Sequence, residues 1–168
     1  MSSGRISLLV SKELQTLLSA IRTLPAEVNA VIRRSTKTEA EPMWREAVRG
    51  NVTTRLETRV LSDTARVAVT DSNVLLRSGT VGQLGNGTPI PVVAAATEYG
   101  ADPTKQIMSR SKAGNPYTRR RGRQFKLPRT GGHVVGPAAR NVIPRIGRLW
   151  FQIAVRTTHE KFEEGGAS

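Results

Sequence analysis

The sequence contains no cysteine, which removes disulfides, thiol nucleophiles and thiolate metal sites from consideration. Only 4% of it is aromatic, so its core must be built mainly from Val, Ile, Leu and Ala. No apolar run approaches the roughly 18 residues that mark a membrane span, so none is expected. The opening MSSGRISLLVSKELQ lacks a basic n-region, a long apolar stretch and a small-residue cleavage site, and does not read as a secretory signal. The most informative absence is local. Between Pro103 and His159 there is no Asp or Glu, yet thirteen Lys and Arg fall in that stretch. Elsewhere 13 cations balance 13 acids, so the whole net charge of +13 resides in this one segment. Such asymmetry implies an anionic partner or a directed field, and says nothing about fold.

At 168 residues the chain has the usual size of one domain with a single core. Leu14, Leu17, Leu18 and Ile21 recur at helical spacing and predict a helix from Ser11 to Leu24, ended by Pro25. A second helix is expected over Ala26 to Arg49, with Val28, Val31, Ile32, Ala40, Met43, Trp44, Ala47 and Val48 on its apolar stripe. Pro42 should kink or split it, and Gly50-Asn51 should stop it. The period then changes. Arg55 to Leu61 and Ala65 to Thr70 read as a hairpin turning through Ser62-Asp63-Thr64, with Asn73 to Arg77 continuing the sheet. Gly79 to Pro91 reads as a flexible loop. Its Gly-Asn-Gly lacks the strand-to-helix context and the Lys-Ser/Thr of a phosphate cradle. Val92 to Gly100 is expected as a strand of small residues. A long basic loop follows, from Ala101 to about Gly132, a length that is usually functional or disordered. GGHVVG suggests a short returning strand. After Gly136-Pro137 an amphipathic helix runs towards Phe162, with Pro144 in its first turn and a fraying tail over residues 165–168. This order gives an α+β fold, with N-terminal helices and a C-terminal amphipathic helix packed on a small, mostly antiparallel sheet.

Chemistry-bearing clusters are hard to find. His133 and His159 lie in different elements with no ligand at metal spacing, and no metal site or cofactor is expected. Glu98 is the acid that stands out, ending a run of small residues beside Tyr99 and Gly100. A sheet-end role, pairing with an arginine or ordering the following loop, is favoured over that of a catalytic base. Nothing resembles a nucleophile elbow, and no enzyme is expected. Trp44 and Trp150 fall on apolar helix stripes and read as core anchors. Tyr117 and Phe125 flank the arginine cluster. They suit pinning of the loop, to its own protein or to a neighbour, with base stacking as the alternative.

The elements AAATEYG and GPAARNVIPRIGRLWFQIAVRTTHEKF, preceded by two helices and a hairpin, give the chain a resemblance to a known family. From about Leu14 to Phe162 it resembles the tail-completion or neck proteins of long-tailed, siphovirus-type bacteriophages. The motifs carrying the likeness are Glu98-Tyr99-Gly100 and Pro137-Ala138 leading into the last helix. The resemblance implies one domain over residues 1–164 and a homo-oligomeric ring, commonly six-fold. That ring would complete the tail and join it to the head connector around the DNA channel of the virion. Its partners would be neighbouring connector and tail proteins. A tail-terminator protein of the same assembly is the nearest variant, and an independent basic nucleic-acid-binding protein is the rival. Arg119, Arg120, Arg121, Arg123, Lys126 and Arg129 are the candidate contact residues of the loop. They have three readings: contact with DNA in the lumen, docking on acidic surfaces of adjacent rings, or solvation. Docking is preferred, because each phosphate held in the lumen adds an attraction that moving DNA must overcome.

Overall fold

The computed structural model describes residues 23–70, 73–111, 113–120 and 122–166. Most of the helix expected over residues 11–24 lies outside these residues. The fold is α+β. A 24-residue helix, α1 (Ala26–Arg49), is followed by a short helical segment, α2 (Arg55–Glu57), which continues into a π-helical turn over Thr58–Ser62. A hairpin of β1 (Arg66–Val69) and β2 (Val74–Arg77) comes next, and then α3 (Ile90–Tyr99). A second hairpin, β3 (Gln106–Arg110) with β4 (Pro116–Arg120), precedes the 32-residue α4 (Val135–Gly166). The expected single sheet is thus two separate two-stranded antiparallel sheets.

The two long helices form the frame. Val28 and Ile32, early in α1, share a cluster with Trp150, Ile153 and Ala154, late in α4. Ala40, Trp44 and Val48 share the main cluster with Val134, Ala138, Ala139, Val142 and Ile146. The helices therefore run side by side in opposite directions, each burying the stripe its 3.6-residue period lines up. Val74 and Leu149 bridge the two clusters. Both tryptophans are core anchors, and Trp44 also donates its indole N–H to the Arg77 carbonyl at 3.0 Å, tying α1 to the first hairpin. Pro42 does not split α1. Both Pro42 and Thr38 are exposed, so the carbonyl deprived of an N–H partner lies where water can satisfy it. Gly50 closes the helix as expected, its N–H bonding the Glu46 carbonyl at 2.8 Å.

Three expected strands are not strands. Arg55 to Leu61 is helical because Thr54-Arg55-Leu56-Glu57 is a capping box. The Thr54 hydroxyl accepts from Glu57 N–H at 3.1 Å, and the Glu57 carboxylate accepts from Thr54 N–H at 3.1 Å. The hairpin partner of Arg66–Val69 is consequently Val74–Arg77, in the register Val67↔Leu76 and Val69↔Val74. Val92 to Gly100 is the body of α3. Pro91 sits in the first turn, where its missing N–H costs nothing, three alanines follow, and Gly100 stops the helix at φ +77°. GGHVVG is no returning strand, since α4 already begins at Val135 and runs through Pro144 to Gly166. Gly79 to Pro91 holds a hydrogen-bonded turn: Leu84 N–H bonds Thr88 O and Ile90 N–H bonds Gly82 O, each at 2.9 Å.

Candidate functional site

Residues 101–132 are not a bare loop. QIMSR and PYTRR pair as β3 and β4 around a turn in which Ser111 N–H bonds Asn115 O and Gly114 N–H bonds Ser111 O, each at 2.9 Å. Neither strand packs extensively on any other helix or strand. All five residues of β4 are exposed, and β3 alternates between exposed and half-buried. This is an arm standing off the body.

Its base is clamped by three successive residues. Glu98 is 6% exposed, and its carboxylate accepts from Val134 N–H at 3.2 Å, Val135 N–H at 2.8 Å and Gly136 N–H at 2.8 Å. Those donors are the otherwise unpaired amides where α4 begins, so a full negative charge sits on the positive end of a long helix. Gly132 has no room for a side chain because the same carboxylate occupies that space. Tyr99 contributes its carbonyl, which accepts from Arg129 N–H at 2.8 Å. Gly100 lets the returning chain come close: any Cβ there would collide with the Leu127 carbonyl. Next to it Ala101 N–H bonds Lys126 O at 2.8 Å, and further out Gly122 N–H bonds Pro103 O at 3.1 Å. His133 adds its backbone N–H to Glu98 O at 2.8 Å and places Nε2 2.9 Å from Leu127 O. Glu98 thus does order the chain after it, but through backbone amides and from a helix, not through an arginine at a sheet end.

A second tether joins the arm to α2. Lys126 Nζ lies 2.6 Å from the buried Glu57 carboxylate, which also accepts from the N–H and hydroxyl of Thr53 at 2.8 and 3.1 Å. Burial pushes the Glu57 carboxyl up. The Lys126 hydrogen bond, the two Thr53 donors and the Lys126 charge outweigh it and hold the group below its usual range. Glu57 and Glu98, the acids at the arm's base, are therefore both spent on internal contacts.

The six arginines and lysines singled out from the sequence separate accordingly. Arg119 and Arg120 lie on β4 and Arg123 just beyond it, all exposed. Arg121 lies outside the described residues. Lys126 belongs to the clamp, and Arg129 is exposed where the arm rejoins the body. The cross-strand register adds Arg110, which sequence reasoning did not single out. Ile107, Ser109, Tyr117 and Arg119 share one face of the ribbon, where Arg119 Nε donates to Ser109 Oγ at 2.9 Å. Gln106, Met108, Arg110, Thr118 and Arg120 share the other. Met108 is 80% exposed and Tyr117 47%, so Tyr117 is not pinned to its own domain, while Phe125 is half-buried. Further cations continue onto α4: Arg140 donates to Gly131 O at 2.9 Å, and Arg145 and Arg148 are exposed beyond it.

Other features offer less chemistry. Among the described residues no three His, Asp or Glu side chains are placed to hold a metal, and no helix is long and apolar enough to cross a membrane. An open groove along α1, lined by Arg34, Lys37, Glu41 and Arg45, has Arg45 already engaged by Glu41 at 2.6 Å. No protein-family model, curated protein or solved structure matches the chain.

Proposed function

We propose that this chain is a structural subunit of the neck of a long-tailed bacteriophage, forming a ring, six-fold in the resembled family, that completes the tail and joins it to the head connector around the DNA channel. Its role is assembly and not catalysis. The observation that carries this reading is the arm, which is rigidly held at its base and covers none of its outer strand with its own domain. An isolated two-stranded hairpin is marginal in water, so its lasting partner is another molecule. Two further points support the reading. Glu98-Tyr99-Gly100, one motif of the resemblance, is hydrogen-bonded to Val135 and Gly136, the residues leading directly into Pro137-Ala138, the other. The closing helix also leaves Phe151, Val155 and Phe162 exposed at i, i+4 and i+11, opposite the stripe it buries against α1. An apolar stripe on one flank suits the heterologous contacts that close a ring.

Native mass spectrometry and sedimentation of the full chain, alone and with purified connectors and tails, test the proposal. A closed oligomer, or a monomer that assembles on a connector or tail, is expected. A chain that stays monomeric in every mixture and is absent from purified virions would sink it.

A further inference from the structure

We infer that the arm is a β-ribbon that binds double-stranded DNA by entering the major groove and contacting phosphates on both walls. The inference needs only the arm and does not rest on the ring reading. Its first support is charge placement. Residues 101–132 hold nine Lys and Arg against Asp102 alone, and the acids at the arm's base are consumed by the clamp and the tether. Among the described residues Arg110, Arg120 and Arg123 form no ion pair, so their field is unopposed.

Geometry decides the class of partner. Arg119 and Tyr117 project on one face of the ribbon, Arg110 and Arg120 on the other. A partner that meets only one face would leave one or two of these three guanidiniums unused, whereas a groove surrounds the ribbon with phosphates on two sides. Arg110 and Arg120 lie at opposite ends of one face, roughly 13 Å apart at 3.3 Å per residue. The B-form major groove is about 12 Å wide and admits a two-stranded ribbon. The A-form groove of duplex RNA is deep and narrow and does not. Protein interfaces are depleted of charge at their centre, whereas this ribbon carries arginines on both faces beside Met108 and Tyr117. Arginine outnumbers lysine along it, as suits bidentate contact with phosphate. Movement of the duplex is compatible with this contact, because one phosphate exchanges for an equivalent neighbour and such binding permits sliding.

The test is fluorescence anisotropy of the full chain with a labelled 30-bp mixed-sequence DNA duplex over a salt series. The variant carries Arg110→Gln, Arg119→Gln, Arg120→Gln and Arg123→Gln, all exposed positions away from the clamp. It should flatten the log K against log[salt] slope by about 3 to 4 and weaken binding about a hundredfold or more near 0.1 M salt. A charge-matched control with Arg34→Gln, Lys37→Gln, Arg49→Gln and Arg55→Gln, exposed on α1 and α2, should keep the native slope. Circular dichroism melts check that both fold. No binding by the native chain, an unchanged slope in the arm variant, an equal loss in the control, or equal affinity for an RNA duplex of the same sequence would each overturn the inference.

Discussion

Replacing Glu98 by glutamine keeps the shape of the side chain and removes its charge, which isolates what the carboxylate does at the start of α4. In the native chain Oε2 accepts from Val134 and Val135 and Oε1 from Gly136. Glutamine retains a single acceptor oxygen, so its amide nitrogen must face at least one backbone N–H, donor against donor. Hydrogen bonds to a charged group are worth about 1.5–3 kcal/mol each, and a charge on a partly buried helix end adds up to ~2 kcal/mol. These terms overlap, and Glu98→Gln should cost about 2–4 kcal/mol in total. For a domain of this length that lowers the melting temperature by about 5–12 °C. Thermal melts and urea titrations of Glu98→Gln beside Glu46→Gln, an exposed α1 control, measure it. Hydrogen exchange at Val134 to Gly136 should accelerate as well. A melting temperature within about 2 °C of the native value would refute the capping argument, since the exchange conserves the volume of the side chain.

Two further predictions bear on the clamp and its tether. Gly100→Ala forces a side chain into a backbone region used essentially by glycine, at about 1–3 kcal/mol, and against the Leu127 carbonyl. It should destabilise the chain clearly more than Gly87→Ala, at φ +80° with open space around it, and equal urea midpoints would show that the close approach is unimportant. Glu57 is held below its usual carboxyl range, so its contribution is fully present above the unfolded value of about 4.3 and is lost as pH falls through the folded value. Lys126→Met should lower stability at pH 6 and flatten the decline as pH falls below about 4.3, and an unaltered pH dependence of the urea midpoints would rule out the Lys126 contact as the cause.

The long helices were legible because periodicity over 24 or more residues leaves few alternatives. Val28, Ile32, Ala40, Trp44 and Val48 fix the buried stripe of α1, and Val142, Ile146, Trp150 and Ile153 that of α4. Short segments were decided by end signals instead. Arg55 to Leu61 alternates tolerably as a strand, but Thr54 and Glu57 at capping-box spacing satisfy two backbone N–H groups reciprocally. Ile90 to Tyr99 has three β-branched residues, Ile90, Val92 and Val93, in its first four positions, yet Pro91 and three alanines favour the helix. Both signals are present in the sequence. The arm's hairpin had one too, in the Ala113-Gly114-Asn115 turn between two short runs. The clamp had none. Glu98 reaches amides 36 to 38 residues away, and Lys126 finds Glu57 across 69 positions of sequence. Such pairings are properties of the packed frame, which no local pattern encodes.

That long-range clamp also explains how a strongly charged arm can belong to a domain with so modest a core. The contacts that clamp the arm's base use backbone groups or a paired charge: Tyr99 O with Arg129 N–H, Ala101 N–H with Lys126 O, Glu98 with the start of α4, and Lys126 with Glu57. Beyond Gly122 and Pro103 the strands bond mainly to each other, and Arg110, Arg120 and Arg123 take no part in the frame. Repulsion among the arm's cations is therefore confined to a solvated ribbon where salt screens it within about 10 Å. Neutralising those arginines should leave the melting temperature nearly unchanged while removing whatever the arm holds. On the proposed DNA contact, stability and binding reside in different residues, separated at Gly100 and Lys126. A change in the arm's charge should leave the body that carries it folded, so any effect on the proposed DNA contact can be read separately from stability.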